Sequence, residues 1–159
     1  MKKDISRWLV LVGFILVCLL VEIIGGWLTG TSVLTWYPSL KKASFNPPSW
    51  VFGPVWTILY VMIAISGWSI FCTRKSNKRK LALIIYGLQL ILNLLWSFLF
   101  FFLRSPLLGL LDIGILLVSI AWAAILFWPL SRIAFWLLIP YFLWTAYASI
   151  LNLSIVLQN

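Results

Sequence analysis

The chain has 159 residues, of which 64% are hydrophobic and 9% charged, and its formal net charge is +9. A soluble domain carries roughly 25% charge, so this composition excludes a water-facing surface and identifies an integral membrane protein of one compact domain. The apolar runs are continuous rather than alternating, which argues against a β-barrel, and the absence of histidine removes the commonest metal and haem ligand and the usual general base.

Five stretches can each span about 30 Å of hydrocarbon as a helix. They cover residues 7–28, 50–72, 81–103, 106–128 and 133–155. The predicted fold is an all-α membrane protein, a five-helix transmembrane bundle forming a single domain over 1–159, with a long structured loop at 29–49. The first span is too long for a secretory h-region, and Gly25-Gly26-Trp27 is a poor cleavage site. Cys18 lies mid-span and Cys72 at the end of span two, and no CxxC occurs, so neither a disulfide nor a metal site is expected.

The loop and the start of span two hold Trp36, Tyr37, Pro38, Pro47, Pro48, Trp50, Pro54 and Trp56. Proline fixes φ and removes a donor, so this stretch breaks the helix and holds a defined irregular shape, read as a lid over an aromatic pocket. The other connections are short. Arg104-Ser105-Pro106 and Pro129-Leu130-Ser131 read as tight turns between antiparallel neighbours. Pro140 should kink span five. No internal repeat supports an inverted-repeat transporter.

Charge placement sets the expected orientation. Lys2, Lys3, Arg7, Arg74, Lys75, Lys78, Arg79, Lys80 and Arg132 fall on one side, and Lys41, Lys42 and Arg104 on the other. The positive-inside rule puts the N-terminus in the cytoplasm and the C-terminus outside. The basic link is short and tied to two spans, which favours topology and anionic-lipid attraction over nucleic acid.

Depth along the helices then sorts the polar groups. Trp8, Trp27, Trp68, Trp128 and Trp136 sit near span ends, as an interfacial belt requires. Trp56, Trp96, Trp122 and Trp144 are too deep for a belt, and with Asn93 at similar depth they point to a cavity in the outer half. Glu22 and Asp112 must face protein or water, or be neutral, because no basic residue shares their depth. Gly109 and Gly114 lack the four-residue spacing of a close helix contact, whereas Thr145 and Ser149 have it, so the dimer signal is weak.

Four motifs carry a resemblance: WYxxLxK at 36–42, NPPSWVFGPVWTILY at 46–60, LQLILNLLWSFLFF at 88–101 and PYFLWTAYASILN at 140–152. Over nearly its whole length the chain resembles the translocator protein / tryptophan-rich sensory protein family (TspO/MBR, once called peripheral benzodiazepine receptors), as a bacterial member. The resemblance implies a five-helix bundle, commonly a homodimer, whose first loop closes a cavity for tetrapyrroles such as protoporphyrin IX. It implies a ligand site of Trp36, Tyr37, Pro47, Pro48, Trp56, Tyr60, Asn93, Trp96, Ser97, Phe100, Trp144 and Ala148, with Trp56 and Trp144 in any photo-oxidative chemistry. No obligatory cofactor is implied, and no metal.

The chain departs from the family in the loop, which reads Lys42-Ala43-Ser44-Phe45-Asn46-Pro47-Pro48 and lacks one proline and one indole of the usual pattern. Span five also lacks the aromatic hydroxyl and basic residue of the animal cholesterol motif. Function therefore reads as a receptor or sensor for porphyrin, with light- and oxygen-dependent degradation as the enzymatic version. The alternatives are a transporter of porphyrins or other small hydrophobic molecules, and a regulatory scaffold acting through the basic loop. No acid–base or nucleophile constellation is present, so any chemistry belongs to the ligand.

Overall fold

A computed structural model describes the backbone of residues 2–159 and the side chains from Arg7 onward. The side chains of Lys2 and Lys3, which enter the charge argument, lie outside the described residues. Five helices follow one another: α1 (Lys2–Gly30), α2 (Ser49–Phe71), α3 (Asn77–Ser97), α4 (Pro106–Phe127) and α5 (Arg132–Gln158). Each is long and apolar enough to cross a membrane, and no strand occurs among the described residues. Several helices outrun their apolar stretches. α3 already starts at Asn77, because lysine and arginine propagate a helix well and leave only the hydrocarbon, not the helix, at that point.

Serine side chains start three of the helices. Ser76 accepts from Arg79 N at 3.1 Å, Ser105 from Leu108 N at 3.4 Å and Ser131 from Ala134 N at 3.2 Å, each satisfying an amide that the first turn leaves without a partner. Pro106 then occupies the first turn of α4, where its missing N–H costs nothing. Arg104 makes the preceding reversal with φ of 52°, in the left-handed region. α5 runs through Pro140 as one continuous helix.

The helices close a ring. α1 packs on α2, α2 on α5, α5 on α4, α4 on α3, and α3 returns to α1. At the basic end the ring is filled: Ile63, Ala64, Ile70, Ala82, Ile120, Ala123, Phe127 and Ala134 are completely buried. Gly67 lets three helices meet there. A Cβ at this position would sit 2.5 Å from Tyr86 Cζ and 2.8 Å from Phe14 Cε1. Trp8, Trp27, Trp128 and Trp136 are exposed near helix ends. Trp122, placed by depth among the cavity candidates, is 46% exposed on the outside of α4, because its helical phase points away from the ring.

One local distortion shapes the other end. After Ser97 the α3 hydrogen bonding widens into a π-helical turn over Phe98–Phe102, with Leu103 N donating to Phe98 O at 2.9 Å. Consecutive residues of an α-helix diverge by about 100°, which turns one of two adjacent large side chains towards the edge of the buried stripe. The wider turn buries both, with ring centroids 4.8 Å apart.

Candidate ligand-binding cavity

At the loop-bearing end the ring is hollow. A cavity of about 340 Å³ lies among α1, α2, α3 and α5 and beneath the α1–α2 loop. Each helix contributes one stripe at helical spacing. α2 presents Ser49, Phe52, Gly53, Trp56 and Tyr60; α3 presents Asn93, Trp96, Ser97, Phe100 and Phe101; α5 presents Ala148, Leu151, Asn152 and Ile155.

The floor is a hydrogen-bonded layer. Tyr60 donates to Asn93 Oδ1 at 2.5 Å, and Asn93 Nδ2 donates to the Tyr141 hydroxyl at 3.0 Å. Asn93 is buried, and this clamp between α2 and α5 occupies both ends of its amide. Trp96 Nε1 donates to Asn152 Oδ1 at 3.2 Å, and Asn152 Nδ2 donates to Pro106 O at 2.8 Å. The Trp96 indole therefore lies fixed, stacked on Phe100 at 5.2 Å and 20°. Trp56 leans on Tyr60 at 5.7 Å and meets Tyr141 edge-on at 6.1 Å, and its indole N–H has no acceptor among the described residues.

The roof is the loop. A short 3-10 turn at Tyr37–Ser39 drives the Tyr37 ring down against Phe101 and Phe100. The Tyr37 hydroxyl donates to Asn46 Oδ1 at 3.1 Å, and burial raises this phenol above its usual range, which keeps it a donor. Lys42 Nζ donates to Tyr37 O and Leu40 O at 2.7 Å each and to Pro38 O at 3.3 Å. Desolvation lowers its ammonium below the ordinary lysine value. The far half of the loop is held by α5. Tyr147 donates to Phe45 O at 2.7 Å, and the Asn159 side chain accepts from Lys41 N and donates to Lys41 O, both at 3.0 Å.

Of the residues singled out from sequence, Tyr37, Trp56, Tyr60, Asn93, Trp96, Ser97, Phe100 and Ala148 line this space. Trp36, Pro47, Pro48 and Trp144 do not. Trp36 packs edge-on behind Phe100 at 5.6 Å. Pro47 and Pro48 set the entry into α2, where Pro47 O accepts from Asn46 Nδ2 and Pro48 O from Val51 N, each at 3.0 Å. Trp144 stands behind Phe52 at 5.9 Å, with its buried indole N–H unpartnered among the described residues.

The sequence reading left α1 out of the site. Glu22, Gly25, Gly26 and Thr29 of α1, with Val33 just past its end, line one wall. Their spacing of three and four residues was the available signal, with Glu22 as its marker. Glu22 Oε1 accepts a short hydrogen bond from Thr57 Oγ1. Among the described residues it is the only carboxylate in the cavity wall.

Comparison with known proteins agrees with this architecture. The TspO/MBR family model matches residues 14–157. The chain is 38% identical to the tryptophan-rich protein TspO of Chlorobaculum tepidum, over 100% of this chain and 99% of that protein. It is 39% identical to the protein of the same name from Archaeoglobus fulgidus, over 94% and 96%. It is 34% identical to the translocator protein of Homo sapiens, over 96% and 91%. A family match over most of the length, with five membrane-crossing helices, makes this chain a multi-pass integral membrane protein that belongs to the TspO/MBR family.

Proposed function

We propose that this protein is a membrane receptor or sensor that binds a tetrapyrrole such as protoporphyrin IX in the cavity under the α1–α2 loop. The carrying observation is the wall itself: Trp56, Trp96, Phe52 and Phe100 surround a space of about 340 Å³, within the range typical of ligand pockets. Flat aromatic ligands stack on such faces, each ring pair adding about 0.5–1.5 kcal/mol beyond area burial. The propionates of a porphyrin would stay towards water, where Lys41 is exposed on the loop. Lys42 is a poorer partner, because its ammonium already serves three carbonyls. In this reading the basic α2–α3 link faces the cytoplasm and the cavity lies in the outer half.

Binding is favoured over transport by what lies under the floor. Below Tyr60, Asn93 and Tyr141 the ring is filled by Ile63, Ile120 and Phe127, which are fully buried, and the polar Gln89, Ser66 and Ser119 there are buried too rather than lining an open path. Photo-oxidative degradation is the catalytic form of the same proposal. Excited porphyrin would pass its energy to oxygen, and Trp56 is the indole in the wall with an unpaired N–H. A second copy of the chain, as in a homodimer, is compatible with the apolar outer faces of the helices.

The test is titration of the purified protein with protoporphyrin IX, followed through tryptophan quenching, then illumination in air with product analysis. Saturable quenching supports the receptor reading, and light-dependent loss of the porphyrin Soret band above the protein-free rate supports the catalytic form. Linear, non-saturating quenching would defeat both.

A further inference from the structure

The cavity wall between α1 and α2 holds two exposed glycines. They are Gly26 and Gly53, and a Cβ built on either would meet no heavy atom within 4 Å. Gly25, next in sequence, differs: its Cβ would touch Ser97 Oγ at 3.4 Å, inside the ring. The two open glycines share one depth. Gly26 is four residues from the end of α1 and Gly53 four from the start of α2, roughly 6 Å along each axis. Glu22 and Thr57 lie one turn deeper on the same edges, roughly 12 Å in, and their hydrogen bond forms the sill of the gap.

The surroundings of this gap are hydrocarbon-like. Ile23 and Trp27 on α1 and Trp50 and Ile58 on α2, each within one helical turn of a rim residue, are 61–75% exposed (68%, 67%, 75% and 61%). Such a flank faces lipid in a membrane protein. The water-facing side is tied shut. Opening the loop would break the Tyr147–Phe45 bond, both Asn159–Lys41 bonds and the Ser32–Phe101 bond, while Tyr37–Asn46 and the Lys42 contacts keep the loop itself stiff. Among the described residues, the side gap presents the single Glu22–Thr57 bond at its lower edge.

Resting on the porphyrin reading above, we infer that ligands reach the cavity sideways from the outer leaflet, through a window whose jambs are Gly26 and Gly53 and whose sill is Glu22–Thr57. The substrate class is then set twice: the molecule must partition into hydrocarbon, and it passes a carboxyl group that favours an N–H or other donor on an otherwise apolar body. Glycine at the jambs adds no side chain to the edge of the gap, and a larger residue there has open space to occupy.

The experiment uses the full-length protein in vesicles, with protoporphyrin IX dissolved in the bilayer and association followed by stopped-flow tryptophan quenching. The observed rate should follow the porphyrin-to-lipid ratio when total porphyrin and protein are held fixed and the amount of lipid is varied. Gly26→Leu with Gly53→Leu should slow association by about tenfold or more, and each single variant should slow it less. Should the double variant fail to fold, the single variants and the lipid dependence decide alone. A rate that tracks aqueous porphyrin and ignores the leucines overturns the window. If the unaltered protein takes up no protoporphyrin, the cavity reading falls and the window with it; uptake with unchanged rates in the variants removes the window alone.

Discussion

Tyr60 and Asn93 are joined by a hydrogen bond of 2.5 Å from the phenol to the amide oxygen, and this pair marks the plane at which the bundle changes from solid to hollow. Above it lies the cavity, and below it the close-packed core. The same amide reaches on to Tyr141, so one side chain holds α2, α3 and α5 in register.

Asn93→Leu should therefore damage stability more than its size suggests. Two buried hydroxyls lose their partner, at about 1–3 kcal/mol each. Thermal unfolding in detergent checks this. Tyr60→Phe should cost less in the Asn93→Leu background than in the unaltered protein, since the bond is already gone. Equal costs in the two backgrounds would mean that the pair is not coupled.

Ala148 is buried and its methyl group forms part of the α5 wall. Ala148→Leu places three more carbons in the ligand space without changing polarity. Affinity for protoporphyrin IX should fall by about tenfold or more, equivalent to about 1.4 kcal/mol, while the unfolding midpoint moves little. An unchanged dissociation constant in a quenching titration would place the ligand elsewhere.

Trp56 and Trp144 should part company. Trp56→Phe removes an indole from the cavity wall, and it should weaken porphyrin quenching and slow any light-driven porphyrin loss. Trp144 lies behind Phe52, so Trp144→Phe should have the smaller effect on both. Equal losses in the two single variants would show that the ligand displaces Phe52 and reaches Trp144.

Gly67 tests the packing at the other end. Gly67→Ala forces a methyl group into Tyr86 and Phe14, and Tyr86 is itself buried and bonded to Cys18, with its hydroxyl 3.4 Å from Sγ. A loss of about 1–3 kcal/mol is expected from overpacking. Gly87→Ala, where a Cβ meets nothing within 4 Å, should leave the unfolding midpoint nearly unchanged.

Lys42 holds the roof, so Lys42→Met should leave global unfolding close to that of the unaltered protein while loosening residues 37–46. Hydrogen exchange of amides in this loop should accelerate. Because burial lowers the Lys42 ammonium, its charge is lost earlier on an alkaline titration than that of an exposed lysine. Deprotonation relieves this partial desolvation, so the Lys42 contribution to loop stability should rise slightly, not fall, as pH rises through its lowered pKa. A sharp alkaline opening of the loop in the unaltered protein, absent in Lys42→Met, would contradict this sign.

Much of this was legible in the residues because helix length and apolar content are local properties. The spans, the proline-bound loop and the stripes carrying Trp56, Asn93, Trp96 and Ala148 follow from spacing and depth. The α1 wall was missed because its contribution is made by small residues, Gly25 and Gly26, whose role is the space they leave. Trp122 and Trp144 were misplaced for a different reason: depth says how far along a helix a side chain lies, and not which way it points.

Composition alone dictated membrane insertion, since so few charges cannot hydrate a surface of this size. Helical periodicity dictated which side chains share a stripe. Tertiary packing decided where those stripes meet and where they fail to meet. Closure of the ring α1–α2–α5–α4–α3, and a π-helical turn that buries Phe100 and Phe101 together, fix the position of the hollow. Both depend on contacts between residues far apart in the chain, which no local pattern encodes.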